Sequence, residues 1–255
     1  MIILKSLQEL ARMREAGRIV AEVLAALKEK VRPGATTMEL DALAEEIITK
    51  RGAIPSFKGY PNPKPGLRNF PASICASINE ELVHGIPGPR VLKEGDIISI
   101  DVGAIYRGYH GDAAVTLGVG EISSEARRLI EVTAACLWEG IARARASNRT
   151  GDVSLAIQNC AESRGYSVVR EYTSHGIGRE MHEAPQIPNF GQPGHGPLLK
   201  QGMTFALEPM VNAGDSRTRV LDDEWTVVTW DGELSAHFEH TVAITEEEPE
   251  ILTRL

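Results

Sequence analysis

Cysteine is scarce and scattered: Cys75, Cys136 and Cys160 form an odd set with no CxxC pair. That excludes a disulfide framework and a zinc knuckle, and it suits a reducing compartment. Positive charge is also short. The 27 Lys and Arg residues against 35 Asp and Glu leave a net charge of -8, with no basic cluster to offset it. A general nucleic-acid binder is thereby excluded, and no DNA partner is expected. No stretch approaches the roughly 20 apolar residues that span a bilayer. The early apolar run Ile2-Ile3-Leu4 is too short for a signal-peptide core. Low-complexity tracts and Ser/Gly linkers are missing too, so no second independent domain is expected. Together these absences point to a soluble cytoplasmic protein with no membrane contact.

What is present is ordered. At 255 residues the chain has length for one large domain or two small ones with an ample core. Leu7 to Lys30 reads as a long helix, ended by Arg32-Pro33-Gly34. A second helix follows, with Thr36 and Glu39 at capping-box spacing. Leu40, Leu43, Ala44, Ile47 and Ile48 give it an apolar stripe, and Arg51-Gly52 closes it. The pattern returns at Glu125 to Ala146. After Thr150-Gly151-Asp152, a stripe of Val153, Ala156, Ile157 and Cys160 is closed by Arg164-Gly165. Each helix pair leads into expected strands: 97–102 and 112–119, then 203–208 and 235–244. The echo predicts an α+β fold with internal pseudo-two-fold symmetry. It would be a single catalytic domain, 1–255, made of two αα–ββ halves at about 1–124 and 125–255. Two unrelated helical hairpins would give the same pattern. The Pro- and Gly-rich stretches 59–71 and 185–197 are expected to be irregular loops that shape a site.

Five residues have the character of metal ligands: Asp101, Asp112, His175, Glu208 and Glu239. Gathered at one point, four carboxylates would repel one another unless cations lay between them. Oxygen ligands with one imidazole suit manganese, cobalt, iron or zinc. Four acids are too many for a single catalytic zinc. Two ions roughly 3.5–4 Å apart would use the whole set and activate water, as in a dinuclear metallohydrolase. A two-residue turn at Arg107-Gly108 would place Asp101 opposite Ala114 and Asp112 opposite Gly103, with both acids on one sheet face. Their strand is otherwise apolar (Ile97, Ile98, Ile100, Val102), so an unpaired acid there would be costly. Glu208 is expected at the end of a strand stopped by Pro209, and Glu239 within a strand running from His237 to Val242. His175 and His182 flank a glycine-rich turn, and His84 precedes a Gly/Pro loop from which it could lean over a site. His110, His195, His237 and His240 carry no independent argument.

The stretches FPASICASINEELVHGIPG, ISIDVGAIYRGYHGDAAVT, SHGIGREMHEAPQIPNFG, FALEPMV and FEHTVAIT resemble the motifs of type I methionine aminopeptidases. The similarity runs nearly end to end. It implies the pita-bread fold, with a dinuclear site at its centre. It also implies that Asp101, Asp112, His175, Glu208 and Glu239 bind the metals, and that His84 and His182 are catalytic without binding them. Phe57, Tyr60, Phe70, Cys75 and Trp225 match the lining of a methionine pocket. Asn79 and Ser235 match positions that hold a monovalent cation (sodium or potassium) in some relatives. Two departures stand out. Met181 replaces an aromatic residue found in some relatives, and Pro61 to Asn69 looks like an insertion in a motif usually written FKGY-x-x-FP.

The resemblance implies removal of the N-terminal methionine of nascent chains when the second residue is small. Glu208 would shuttle the proton of the attacking water. His182 would stabilise the developing oxyanion, and His84 would contact the peptide nitrogen on the leaving side. Transient ribosome contact and a monomeric state go with that role. A prolidase or Xaa-Pro aminopeptidase shares the fold and ligand set, but usually carries an additional N-terminal domain for which this chain has no length. A non-catalytic relative would have lost ligands.

Overall fold

A computed structural model describes residues 1–255. Of its four helices, α1 (Leu7–Lys28), α2 (Thr37–Lys50) and α3 (Ser124–Arg143) start at a side-chain cap from Ser6, Thr36 and Ser123, while α4 (Thr150–Glu162) has none. The Thr36 hydroxyl accepts from the Glu39 amide at 3.2 Å, and the Glu39 carboxylate accepts from the Thr36 amide at 2.8 Å. Ser6 and Glu9 repeat that box at the start of α1. α4 begins earlier than its apolar stripe suggested. Arg149 has no acceptor to offer, so only the returning bond is made, from the Arg149 amide to the Asp152 carboxylate at 2.7 Å. α1 and α3 stop a little before the expected Lys30 and Ala146.

After α2 come β1 (Ile54–Pro55), β2 (Ile74–Ile78), β3 (Glu81–Val83), β4 (Ile97–Tyr106) and β5 (Tyr109–Gly118). β4 and β5 form a hairpin whose turn residues Arg107 and Gly108 have φ of 49° and 78°, the type I′ geometry that matches strand twist. Its register pairs Asp101 with Ala114 and Gly103 with Asp112, as the two-residue turn requires. After α4 come β6 (Ser167–Val168), β7 (Thr173–Gly176), β8 (Glu183–Pro188), β9 (Thr204–Leu207) and β10 (Met210–Asn212). β11 (Thr218–Val220), β12 (Val227–Thr229), β13 (Ser235–His237), β14 (His240–Ala243) and β15 (Glu250–Ile251) complete the chain. The order of two helices followed by antiparallel strands thus occurs twice.

Three expectations are corrected. The single strand expected over 235–244 is two strands, because β13 pairs with β10 while β14 pairs with β9 in a different sheet. Glu239 therefore lies in the break between them rather than inside a strand. Its counterpart Glu208 lies just past β9, in a matching break at Glu208-Pro209. Finally, the stretch 185–197 does not begin as a loop: β8 runs through Pro188 as the edge strand of the order β15-β14-β9-β7-β8. An edge strand tolerates prolines because one side needs no ladder donors.

The β4–β5 hairpin and the broken ribbon meet along a seam. Ala114 and Glu239 exchange backbone bonds, the Glu239 amide donating to the Ala114 carbonyl at 2.9 Å. On one side the Thr241 hydroxyl accepts from the Asp112 amide at 2.9 Å and donates to the Asp112 carbonyl at 2.8 Å. On the other, the Thr116 hydroxyl does the same with the amide and carbonyl of His237, both at 2.8 Å. The helices cover this assembly in pairs, each with its own apolar core: one is built around Leu40, Ala44 and Ile48, the other around Cys136, Val153 and Ile157. α1 sits directly on β5 because Gly111, next to Asp112, has no Cβ; one built there would lie 2.7 Å from the Gly17 amide.

Candidate metal centre

The breaks and the hairpin aim four carboxylates at one point. Leu207 pairs with His240 and Met210 with His237, so continuing that register places Glu208 opposite Glu239. Asp112 and Glu239 approach each other across the seam. His175, on β7 opposite Ala206, completes the group. Ligand atoms of Asp112, His175 and Glu239 lie within 4.8 Å of one another. His175 Nε2 is 3.5 Å from the Glu208 carboxylate. Its Nδ1 lies 2.9 Å from the Gly176 carbonyl, which only accepts, so the proton sits on Nδ1 and the Nε2 lone pair is free for the cluster.

The electrostatics call for cations. Asp101 Oδ1, Asp112 Oδ1 and Glu239 Oε1 are buried and have no hydrogen-bond donor. Leaving each so costs about 1–3 kcal/mol, more for a charge. No lysine or arginine pairs with them; the nearest basic side chains are the buried, neutral histidines His175 and His237. Burial pushes the Asp101 carboxyl up to about 7. Burial, reinforced by the neighbouring acids, drives Asp112, Glu208 and Glu239 well above the usual range. Burial also holds His175 down at about 3, in the neutral form that ligates. Orphaned hard oxygens around one neutral imidazole fit divalent ions.

One cavity of about 800 Å³ contains these five residues together with His84, His182, Phe57, Tyr60, Phe70, Cys75 and Trp225. Phe70 stacks edge-on against Phe57 and Trp225, with ring centroids 6.5 and 5.2 Å apart. Burial and the nearby carboxylates raise the Cys75 thiol well above its ordinary value, so it stays protonated as an apolar wall. Met181 is buried in the same cluster. The stretch Pro61–Asn69 lies at the rim. It is closed at its base by the Phe70 amide donating to Tyr60, and the Trp225 indole donates to the Arg68 carbonyl at 2.8 Å. His84 adopts a left-handed φ of 59°, uncommon for a residue with a side chain. Its ring lies edge-on to Tyr172 and Trp225, and burial lowers its pKa to about 4. The His182 ring is 4.3 Å from that of His175. Outside the cleft lining, the Ser235 amide donates to the Asn79 carbonyl at 3.0 Å, so that expected pair is together as well.

Sequence reasoning passed over His237. Its Nε2 lies 3.7 Å from Glu208 and 3.9 Å from Glu239, fully buried and without a hydrogen bond. The signal was its spacing two residues before Glu239. His110 instead meets Ser56 at 2.9 Å and His240 meets Thr253 at 2.8 Å, both structural contacts. His195 takes no part in the cleft.

Residues 11–246 match metallopeptidase family M24. A methionine aminopeptidase of Clostridium perfringens is 56% identical over 253 residues, covering 99% of both chains. The crystal structure of methionine aminopeptidase from Thermotoga maritima superposes with a TM-score of 0.96 at 47% identity, covering 100% of both chains. The Xaa-Pro dipeptidase from Bacillus anthracis shares the pita-bread fold more distantly: its TM-score is 0.79 at 23% identity, over 99% of this chain but 62% of that one. No helix here is long and apolar enough to cross a membrane. Over its full length, this chain belongs to metallopeptidase family M24 and, within it, to the methionine aminopeptidases.

Proposed function

We propose that Asp101, Asp112, His175, Glu208 and Glu239 hold two divalent ions with which this methionine aminopeptidase removes the first residue of proteins and peptides. The observation that carries the assignment is the set of buried, donorless carboxylate oxygens around the free Nε2 of His175. Cobalt, manganese, iron and zinc all suit the donors. Bound there, the ions supply Lewis acidity toward the scissile carbonyl and lower the pKa of water.

The chain's own residues do the rest. Phe57, Tyr60, Phe70, Cys75 and Trp225 enclose the unbranched thioether of methionine, which fills irregular apolar space with little strain. Glu208 takes the proton of the attacking water. Neutral His182 donates to the carbonyl oxygen as negative charge develops there. His84 meets the peptide nitrogen on the leaving side, where limited room favours a small second residue. Asn79 and Ser235 are read as the position of a monovalent cation, sodium or potassium. The physiological substrates are nascent chains met in transient contact with the ribosome by a cytoplasmic monomer, folded as two related halves.

Chelated protein should be inactive on Met-Ala-Ser, and cobalt, manganese or iron should restore activity with up to two ions bound per chain. Full activity in a preparation shown metal-free by elemental analysis would overturn the assignment. Cleavage of Xaa-Pro peptides in preference to Met-Ala-Ser would move the chain's specificity to that of the prolidases.

A further inference from the structure

His182 stands in open surroundings. It lines the main cleft of about 800 Å³ and also a second cavity of about 380 Å³, and Tyr60 lines the same two. A ring with space on two sides is not oriented by packing alone. The turn that carries it is tied down next door: the Glu183 carboxylate accepts from the Arg179 amide at 2.9 Å and pairs with buried Lys5 at 2.5 Å. The imidazole itself has fewer restraints. The His175 ring lies on one side, and the Tyr60 ring stands edge-on at 5.5 Å with its hydroxyl 2.6 Å from Nδ1.

The direction of that bond is set by which ring nitrogen of His182 carries the proton. A proton on Nε2, which a donor to the carbonyl oxygen requires, leaves Nδ1 to accept. Burial, then the charge of Glu180, raises the Tyr60 phenol above its ordinary value, so it keeps its proton to give. We propose that Tyr60 is a positioning residue: its O–H donates to Nδ1 of His182, fixing the ring and keeping the imidazole proton on Nε2 as the donor for substrate. Which nitrogen carries the proton is set by the bond the other one makes. The inference rests on the reading of His182 as the donor to the carbonyl oxygen, and it gives Tyr60 a role beyond forming the pocket wall.

Tyr60→Phe keeps the ring and removes only the hydroxyl. In the metal-loaded enzyme acting on Met-Ala-Ser, kcat should fall about 10–100-fold, the usual cost of losing a partner that orients a functional group. KM and metal stoichiometry should stay at wild-type values, because the pocket wall and the ligands are untouched. In a His182→Ala background the same change should have no further effect. ¹⁵N NMR of the zinc-loaded protein should show His182 protonated at Nε2, and a mixture of tautomers in Tyr60→Phe. Wild-type kcat in Tyr60→Phe beside a slow His182→Ala enzyme would overturn this proposal alone. So would an equal loss from Tyr60→Phe with and without His182. Wild-type kcat in His182→Ala would overturn the reading of His182 and this proposal with it.

Discussion

Thr241→Val tests whether the seam between the two ribbons holds the proposed metal ligands in place. The Thr241 hydroxyl both accepts from the Asp112 amide, at 2.9 Å, and donates to the Asp112 carbonyl, at 2.8 Å, with the residue fully buried. Valine fills the same space but leaves two buried backbone groups without partners. Each unsatisfied group costs about 1–3 kcal/mol, so a loss of about 2–4 kcal/mol is expected once the ribbons relax. The damage falls on the backbone of Asp112 itself, so metal affinity should drop along with stability. Urea unfolding of the chelated protein, followed by tryptophan fluorescence, reads the first effect; calorimetric titration with manganese reads the second. Thr116→Val is the comparison. It breaks the corresponding pair of bonds to His237 and also the bond to Ser99 at 2.8 Å, so it should cost at least as much stability with less effect on metal binding, because His237 is not assigned as a ligand. If Thr241→Val lost less than about 0.5 kcal/mol and kept its metal affinity, the seam would not be what positions Asp112.

Three further outcomes are expected. Asp101 ordinarily titrates at 3.8 and is held at about 7 in the metal-free fold, so the folded chain keeps a proton that the unfolded chain has lost. That stability is fully present below the unfolded value and is lost as pH rises through about 7. Below pH 6.5 the buried neutral histidines, such as His84 held at about 4 and His175 at about 3, lose stability as pH falls, so the acids are read above that point. From pH 6.5 to mildly alkaline pH the chelated protein should melt lower, and saturating manganese should reverse that trend because bound ions require deprotonated ligands; a flat profile of the chelated protein over this window would contradict the buried-acid account. His84→Ala should keep its metal content while its rate falls by about 10²–10⁴-fold, whereas His175→Ala should lose affinity for metal together with rate; the opposite pattern in elemental analysis would mean the two roles are misassigned. Peptides beginning with norleucine should be cleaved more slowly than those beginning with methionine, since such a pocket reads a small change for about 1–3 kcal/mol, and equal cleavage of Leu-Ala and Met-Ala peptides would be incompatible with the lining around Phe57, Phe70 and Trp225.

What could be read in advance was what short-range rules decide. The Thr36–Glu39 box placed the start of α2, and the Arg107-Gly108 turn fixed the whole register of β4 on β5, including the positions of Asp101 and Asp112. Glu208 and Glu239 were found by type and by resemblance, but their placement was not legible. Both lie where a strand leaves one sheet for another, and there the alternation of faces that sequence reasoning uses no longer applies. The same break hid His237, and the partner of Tyr60 lies 122 positions away in the chain, beyond any local period. The breaks are also what make the centre work. A continuous strand would send neighbouring side chains to opposite faces, whereas interrupting both strands at the same rung lets two glutamates opposite each other turn toward one point. The seam then brings Asp112 against Glu239, and the price is a knot of buried acids that the protein alone leaves unsatisfied. On the proposed assignment, divalent ions among the four carboxylates would offset that cost, so metal affinity and the closed seam should strengthen each other.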